Sequence, residues 1–388
     1  MKTMKKINKF IYLETSKIKH ICNIFYDFNN PNCQIKDGNW DIENIGAHIP
    51  STGTKIEDSI IYSSIKDIFI NNKKWSETSL YNFIKNGIES GNFKWNCDTI
   101  ESLEKREEYL KRLYLSIKEN GLLENQDDIS NIFKMNPDQI ENDDLMVALD
   151  RNGNPLFVQN GSHRLSICKI LGIKKIPVKV YVRHTEWEKT RDYIFNECNK
   201  FWVGKTYQQI PHPDFDEIET IWSDNRYELF KSNTDSKVGD SILDIGSLFG
   251  YICYRSELDG YNATACEIDE NYLNIMYRLH KGYNMKYKII SSSFLDLEII
   301  EYDVIIALNI LHHFLKRSYE FNKLEKFLEK CKFNEMFVQF HEQGEAQMIG
   351  SYKDFSPEEF SDFIMKKTNK KNCLLIGEEM NRKIYKIY

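Results

Sequence analysis

The chain has no CxxC pair and no regular cysteine spacing, although nine cysteines are scattered through its 388 residues. That pattern excludes a disulfide or metal framework read from spacing. Free thiols in a reducing cytoplasm are the simplest expectation, and no metal is expected. A long apolar run is also missing. The basic start, from Met1 to Ile21, is not followed by a stretch long enough for a signal peptide or a membrane span, so a cytoplasmic protein is expected. Positive charge is not in excess either: the formal net charge is −6, which gives no global field for a polyanion, and nucleic acid is not expected as a partner. Internal repeats and low-complexity tracts are absent beyond an Asn/Lys bias. What is present is an ordinary globular balance, 41% hydrophobic and 28% charged. The chain is longer than one core usually supports, which predicts two domains.

Along the chain, residues 1–53 show no clear period and read as a peripheral extension. Residues 54–210 read as a compact α+β domain. Helical patterns cover Trp75 to Gly87 and Glu101 to Glu119, the second with Leu103, Tyr109, Leu110, Leu113 and Ile117 at three- and four-residue steps and a stop at Asn120-Gly121. Short β-like runs follow, LMVALD and PLFVQ around the turn RNGN, then a helix from Ser162 to Leu171, then IPVKVYV. Pro211-His212-Pro213 is a stiff break, and a helix over Asp214 to Phe230 is expected beyond it. From Ser241 on, SILDI, NATACEI, KYKII, YDVIIAL and EMFVQF alternate with helical segments, and NCLLIG and KIYKIY close the chain around EEMNR. The expectation for 211–388 is a doubly wound α/β sheet with a terminal antiparallel hairpin.

The apolar strand ending at Asp244 runs into Ile245-Gly246-Ser247-Leu248-Phe249-Gly250, with two glycines where dinucleotide sites usually carry three. Asp244 would repel a pyrophosphate but suits a ligand carrying an amino group and a sulfonium. The second strand ends in Ala265-Cys266-Glu267, where an acid can accept ribose hydroxyls. Together with Ser291 to Phe294 and the string from Tyr302 to Phe314, these residues resemble the class I S-adenosylmethionine-dependent methyltransferases over roughly the last 150 residues. The resemblance implies S-adenosylmethionine as cofactor. It assigns Asp244, Gly246, Ser247 and Gly250 to the glycine-rich loop, and Glu267 to the ribose. It assigns Ser293 and Phe294 to the adenine edge, and Leu308 and Asn309 to the fourth-strand end facing cofactor and acceptor. Ser247-Leu248 departs from the family, many members of which have a further glycine there.

Methyl transfer from a sulfonium is an in-line displacement, so the enzyme positions the acceptor and, for a hydroxyl, supplies a base. His312-His313 after the fourth strand and His341-Glu342 after the fifth are the base candidates. His312 is favoured as site-lining, with His341 next, and adjacent helical residues such as His312 and His313 are not expected to share one cleft. No Asn-Pro-Pro-Tyr string follows strand four, which argues against methylation of DNA bases.

In the front domain, Gly161-Ser162-His163-Arg164 joins a strand end to a helix start, a plausible phosphate cradle. With Ile176 to Val180, the string resembles the ParB/sulfiredoxin-like fold, which implies a nucleotide site (ATP or CTP). The sulfiredoxin-type cysteine is absent, because Ser162 stands in the turn, and no helix-turn-helix region follows. The function expected is O-methylation of a small molecule or glycan, by resemblance to surface-polysaccharide modification, with a nucleotide- or phosphate-binding front module. The alternatives are a nucleic-acid-modifying methyltransferase guided by the front module, a bifunctional kinase/methyltransferase, or a binding scaffold without catalysis.

Overall fold

The computed structural model describes residues 10–22, 24, 33–42, 53–95, 97–124, 144–158, 160–202, 204–283, 285–298 and 300–388. The chain divides into two compact units, Met1–Asp192 and Tyr193–Tyr388.

The first unit is a mixed sheet with helices. Its strands are β1 (Phe10–Glu14), β2 (His20–Ile21), β3 (Gln34–Lys36), β4 (Met146–Leu149), β5 (Pro155–Phe157) and β6 (Lys175–His184), in the order β1-β6-β4-β5-β2 with β3 also on β6. The amino-terminal stretch is therefore not peripheral: β1 runs antiparallel to β6 from Phe10↔Lys179 to Glu14↔Lys175, and β2 pairs with β5. Its strands are two to five residues long, too short to show a period. Helices α1 (Ile60–Phe69), α2 (Ser79–Glu89) and α3 (Ile100–Asn120) bury the stripe anticipated from the heptad-like spacing: Leu103, Leu110, Leu113 and Ile117 of α3 are all in the core. Thr99 caps α3 in a capping box with Ser102, and Gly121 ends it at φ 73°. Helix α4 (Ser162–Ile170) follows β5. Trp75 and Trp187 are packed inside, as large aromatics usually are.

Helix α5 (Thr185–Trp202) leads the chain to the second unit. The helix expected over 214–230 is not continuous. A 3-10 turn at Pro213–Phe215 is followed by a segment in which Thr206 bridges Thr220, and α6 begins only at Asn225 (Asn225–Asn233). The amides of Ile221 and Trp222 go to Thr206 and Tyr207 carbonyls, which draws residues 216–222 out of helix.

The second unit is a seven-stranded sheet: β7 (Ser241–Ile245), β8 (Asn262–Glu267), β9 (Lys288–Ser291), β10 (Val304–Leu308), β11 (Glu335–Gln339), β12 (Cys373–Glu379) and β13 (Arg382–Ile387). The order is β9-β8-β7-β10-β11-β13-β12. The first five are mutually parallel and β13 is antiparallel to both β11 and β12. Helices α7 (Tyr251–Leu258), α8 (Glu270–Gly282), α9 (Ser318–Lys330) and α10 (Pro357–Thr368) alternate with the strands. Strands β7, β10 and β11 are almost wholly buried, which is why they read as unbroken apolar runs. The chain moves outward from β7 to β9, then returns to lay β10 on the other side of β7. That reversal opens a crevice at the carboxyl ends of β7 and β10, where doubly wound sheets bind ligands. This is a doubly wound α/β fold with the terminal antiparallel hairpin expected from sequence.

Candidate functional site

Asp244, Glu267, Leu308 and His341 lie at or just beyond the carboxyl ends of β7, β8, β10 and β11, so the sheet alone brings them to one edge. Asp244 is 3% exposed, and among the described residues its one hydrogen-bonding neighbour is the Cys253 thiol at 4.0 Å. Burial pushes its carboxyl up to about 7; the Arg226 guanidinium pulls it back and Glu267 pushes it further. A buried acid to which no protein cation is hydrogen-bonded, with Arg226 acting on it only at longer range, fits a ligand cation.

The loop after β7 is built differently from a phosphate cradle. The amides of Gly246 and Ser247 both donate to the Cys266 carbonyl, at 2.9 and 3.2 Å. Leu248 donates to Glu267 Oε2 at 2.9 Å, and Gly250 to the Ser247 carbonyl at 2.8 Å. Four of the five loop amides from Gly246 to Gly250 are thus consumed within the protein, whereas a pyrophosphate site needs them turned to the ligand. Ser247 is buried with its hydroxyl unpartnered, and its carbonyl also accepts from Gln208 Nε2 at 3.1 Å. Leu248 holds φ 52°, so the bulkier loop forms with a non-glycine residue in the left-handed region.

Gly250 caps α7 at φ 78°, and a Cβ there would sit 2.3 Å from the hydroxyl oxygen of the buried Tyr287. Gly250→Ala is therefore expected to destabilise the protein by about 1–3 kcal/mol through overpacking, read as a lower urea midpoint.

Glu267 is mostly engaged with backbone. Oε1 accepts from Ile268 and Asp269 amides at 2.8 and 3.0 Å, and Oε2 from Leu248. A carboxylate has about four acceptor positions, so roughly one is left, on Oε2. Ser293 caps the 3-10 turn Phe294–Asp296 with its hydroxyl, while the Phe294 ring is spent in the core, edge-on to Phe314 and Phe327 at 5.0 and 4.7 Å. Asn309 is likewise tied down: Nδ2 donates to Gln339 Oε1 at 2.8 Å, and Oδ1 accepts from Arg382 Nη1 at 2.9 Å.

The histidines converge. His312 and His313 sit in a 3-10 turn, Leu311–Leu315, with ring centroids 4.2 Å apart, so the expectation that neighbours must diverge does not hold in this tighter turn. The His341 ring lies 5.4 Å from that of His312. Burial brings His312 down to about 2, helped by the charges of His313, His341 and Arg382. His341 is fully buried, with Nε2 3.0 Å from Asp354 Oδ1 and Nδ1 unpartnered. Arg226 and Asp354 were not anticipated from sequence; both lie in segments without a motif, and only the fold carries them here.

In the first unit, Gly161, Ser162, His163 and Arg164 line a cavity of about 110 Å³ together with Trp95 and Arg106. His163 and Arg164 are both buried there.

No protein-family model matches the chain, and no curated protein sequence matches it either. Solved structures similar to it include methyltransferases. Monomeric WbdD aligns at TM-score 0.41 and 18% identity over 50% of this chain and 48% of that one. A structure of WbdD described as a bifunctional kinase-methyltransferase aligns at TM-score 0.42 and 17% identity, over 50% and 45%. Magnesium protoporphyrin IX methyltransferase from Synechocystis PCC 6803 with bound SAM aligns at TM-score 0.33 and 12% identity, over 42% and 75%. The chain spans about half the length of the WbdD structures. Among the described residues no helix is long and apolar enough to cross a membrane.

Proposed function

We propose that the second unit binds S-adenosylmethionine at the β7–β8 edge and transfers its methyl group to a hydroxyl of a small molecule or glycan. One observation carries the reading: Asp244 is a buried carboxylate with no protein cation hydrogen-bonded to it, set beside a loop four of whose five amides are already spent. Together these suit a cationic amino-acid moiety and not a pyrophosphate. Glu267 keeps one acceptor position for a ribose hydroxyl, and Ser247 and the Leu308-Asn309 backbone border the same crevice. When bound, the cofactor supplies an activated methyl on sulfonium. The protein's part is then to orient the acceptor and hold its proton. We assign that proton to His341 Nδ1, with the ring oriented by Asp354 through Nε2. His312, kept neutral by burial, lines the site beside it. The first unit we read as a ParB/sulfiredoxin-like binding module.

Calorimetry with S-adenosylmethionine tests the proposal, and absence of binding would remove it. The pH dependence has a definite sign. Below about 7 Asp244 is protonated and must release that proton to meet a cation, so affinity rises with pH. The expected gain is roughly tenfold between pH 5.5 and 7. Asp244→Asn is expected to bind more weakly and to flatten that dependence.

A further inference from the structure

The seven-stranded sheet ends on β12, which is paired on one side only, to β13. At seven residues it is the longest strand of its sheet, and it carries no proline of the kind that blunts an edge. Its middle is apolar. Leu374 and Leu375 are 48% and 51% exposed, and because neighbours on a strand point to opposite faces, each face of this edge presents a leucine. The charges are divided along it: Lys370 and Lys371 precede the strand, and Glu378 and Glu379 close it. Lys370 donates to the Asn334 carbonyl at 3.2 Å, and Glu379 accepts from the Ser223 amide at 2.8 Å. Lys371 and Glu378 are the exposed members of the set. Glu378 lies opposite Lys383 in the ladder, but the Lys383 ammonium bonds Glu358 at 2.7 Å.

An open edge of this kind is a template for another strand. Charge decides which strand. Laid parallel to itself in register, β12 would set Lys371 on Lys371 and Glu378 on Glu378, and like charges directly opposite are unfavourable. Turned antiparallel about a twofold axis between Leu374 and Leu375, it sets Lys371 opposite Glu378 at both ends and Leu374 opposite Leu375 on both faces. A basic start and an acidic end complement the same pattern run in reverse. We infer that β12 is a self-association edge, through which two copies of this chain pair across a twofold axis with a Lys371–Glu378 ion pair at each end. A bulge between Leu375 and Gly377 shortens the regular pairing, and one strand offers little area beside the roughly 1,200 Å² of a standard interface. The dimer is accordingly weak and forms with rising concentration. In the sheet order β12 stands two places beyond β11, away from the crevice between β7 and β10. The inference does not rest on the methyl-transfer reading, and either can fail alone.

The test is sedimentation equilibrium of the full chain from about 1 to about 300 µM, a range that captures micromolar dissociation constants. A reversible equilibrium between monomer and dimer is expected. Lys371→Glu and Glu378→Lys each put two like-charged pairs into the interface and should weaken the dimer about tenfold. The double reversal Lys371→Glu/Glu378→Lys restores opposite charges and should return the dissociation constant to within about threefold of wild type. A wild-type chain that stays monomeric throughout the range would overturn the inference. So would a dimer that either single reversal leaves within about threefold of wild type, or one that the double reversal fails to restore, since a dimer built on another surface has no reason to follow these two charges. Amide exchange on the wild type decides the matter if a variant does not fold. Protection at residues 373–378 should rise with protein concentration, and exchange there that is the same in monomer and dimer would remove β12 from the interface.

Discussion

Glu267→Ala is expected to weaken S-adenosylmethionine binding by about 100-fold or more. Two losses combine. The ribose loses a charged acceptor, and hydrogen bonds to charged groups are worth about 1.5–3 kcal/mol each. The amides of Leu248, Ile268 and Asp269 also lose their shared acceptor, so the loop that borders the cofactor is no longer tied to the end of β8. Orphaned buried donors cost about 1–3 kcal/mol apiece, although water will reach some of these. The substitution should therefore lower stability as well as affinity, and the two are separable: calorimetry reads the cofactor and a urea melt reads the loop. Glu267→Gln keeps one acceptor oxygen and should fall between alanine and wild type on both. Binding within threefold of wild type in a folded Glu267→Ala protein would remove Glu267 from the cofactor site and leave it a loop anchor.

The hold of Glu267 on three backbone amides shows what a sequence discloses and what it conceals. The central strands were legible because burial on both faces writes them as apolar runs: SILDI is β7 residue for residue, and VIIAL lies inside YDVIIAL. The glycine turn and the acid at the next strand end were legible because both follow directly from strand ends. Asp354 is thirteen residues beyond His341 and without periodicity, and Arg226 precedes the first strand of its sheet on a helix that had been expected to start about ten residues earlier. Only tertiary packing brings such residues to the crevice. The fates of Phe294 and Asn309 are also tertiary facts: one ring fills the core beside Phe327, and one amide is clamped by Gln339 and Arg382. In the first unit, β1 and β2 owe their place to pairing with β6 and β5, over 130 residues away, and no local signal marks them.

The second large effect concerns the acceptor. His341→Ala is expected to reduce methyl transfer by about 10²- to 10⁴-fold, the range for loss of a general base, while S-adenosylmethionine affinity stays near wild type. The argument is one of proton inventory. If Nε2–H donates to Asp354 at 3.0 Å, Nδ1 carries the lone pair, and it is the buried, unpartnered atom of the ring. The adjacent carboxylate also stabilises the imidazolium that forms when the acceptor hydroxyl gives up its proton, as in other His–Asp pairs. His312 has no such partner, and burial holding it near 2 makes it a feeble base at neutral pH. His312→Ala should accordingly cost less than His341→Ala and act mainly through acceptor KM. Asp354→Asn should lower kcat without matching the alanine loss, because the ring keeps its place but not its fixed tautomer. The measurement is single-turnover transfer of labelled methyl to an acceptor found by screening hydroxylated small molecules and glycans. Retention of kcat within threefold in His341→Ala, with cofactor binding intact, would show that the acceptor is deprotonated elsewhere or needs no base, as a sulfur or amine nucleophile would.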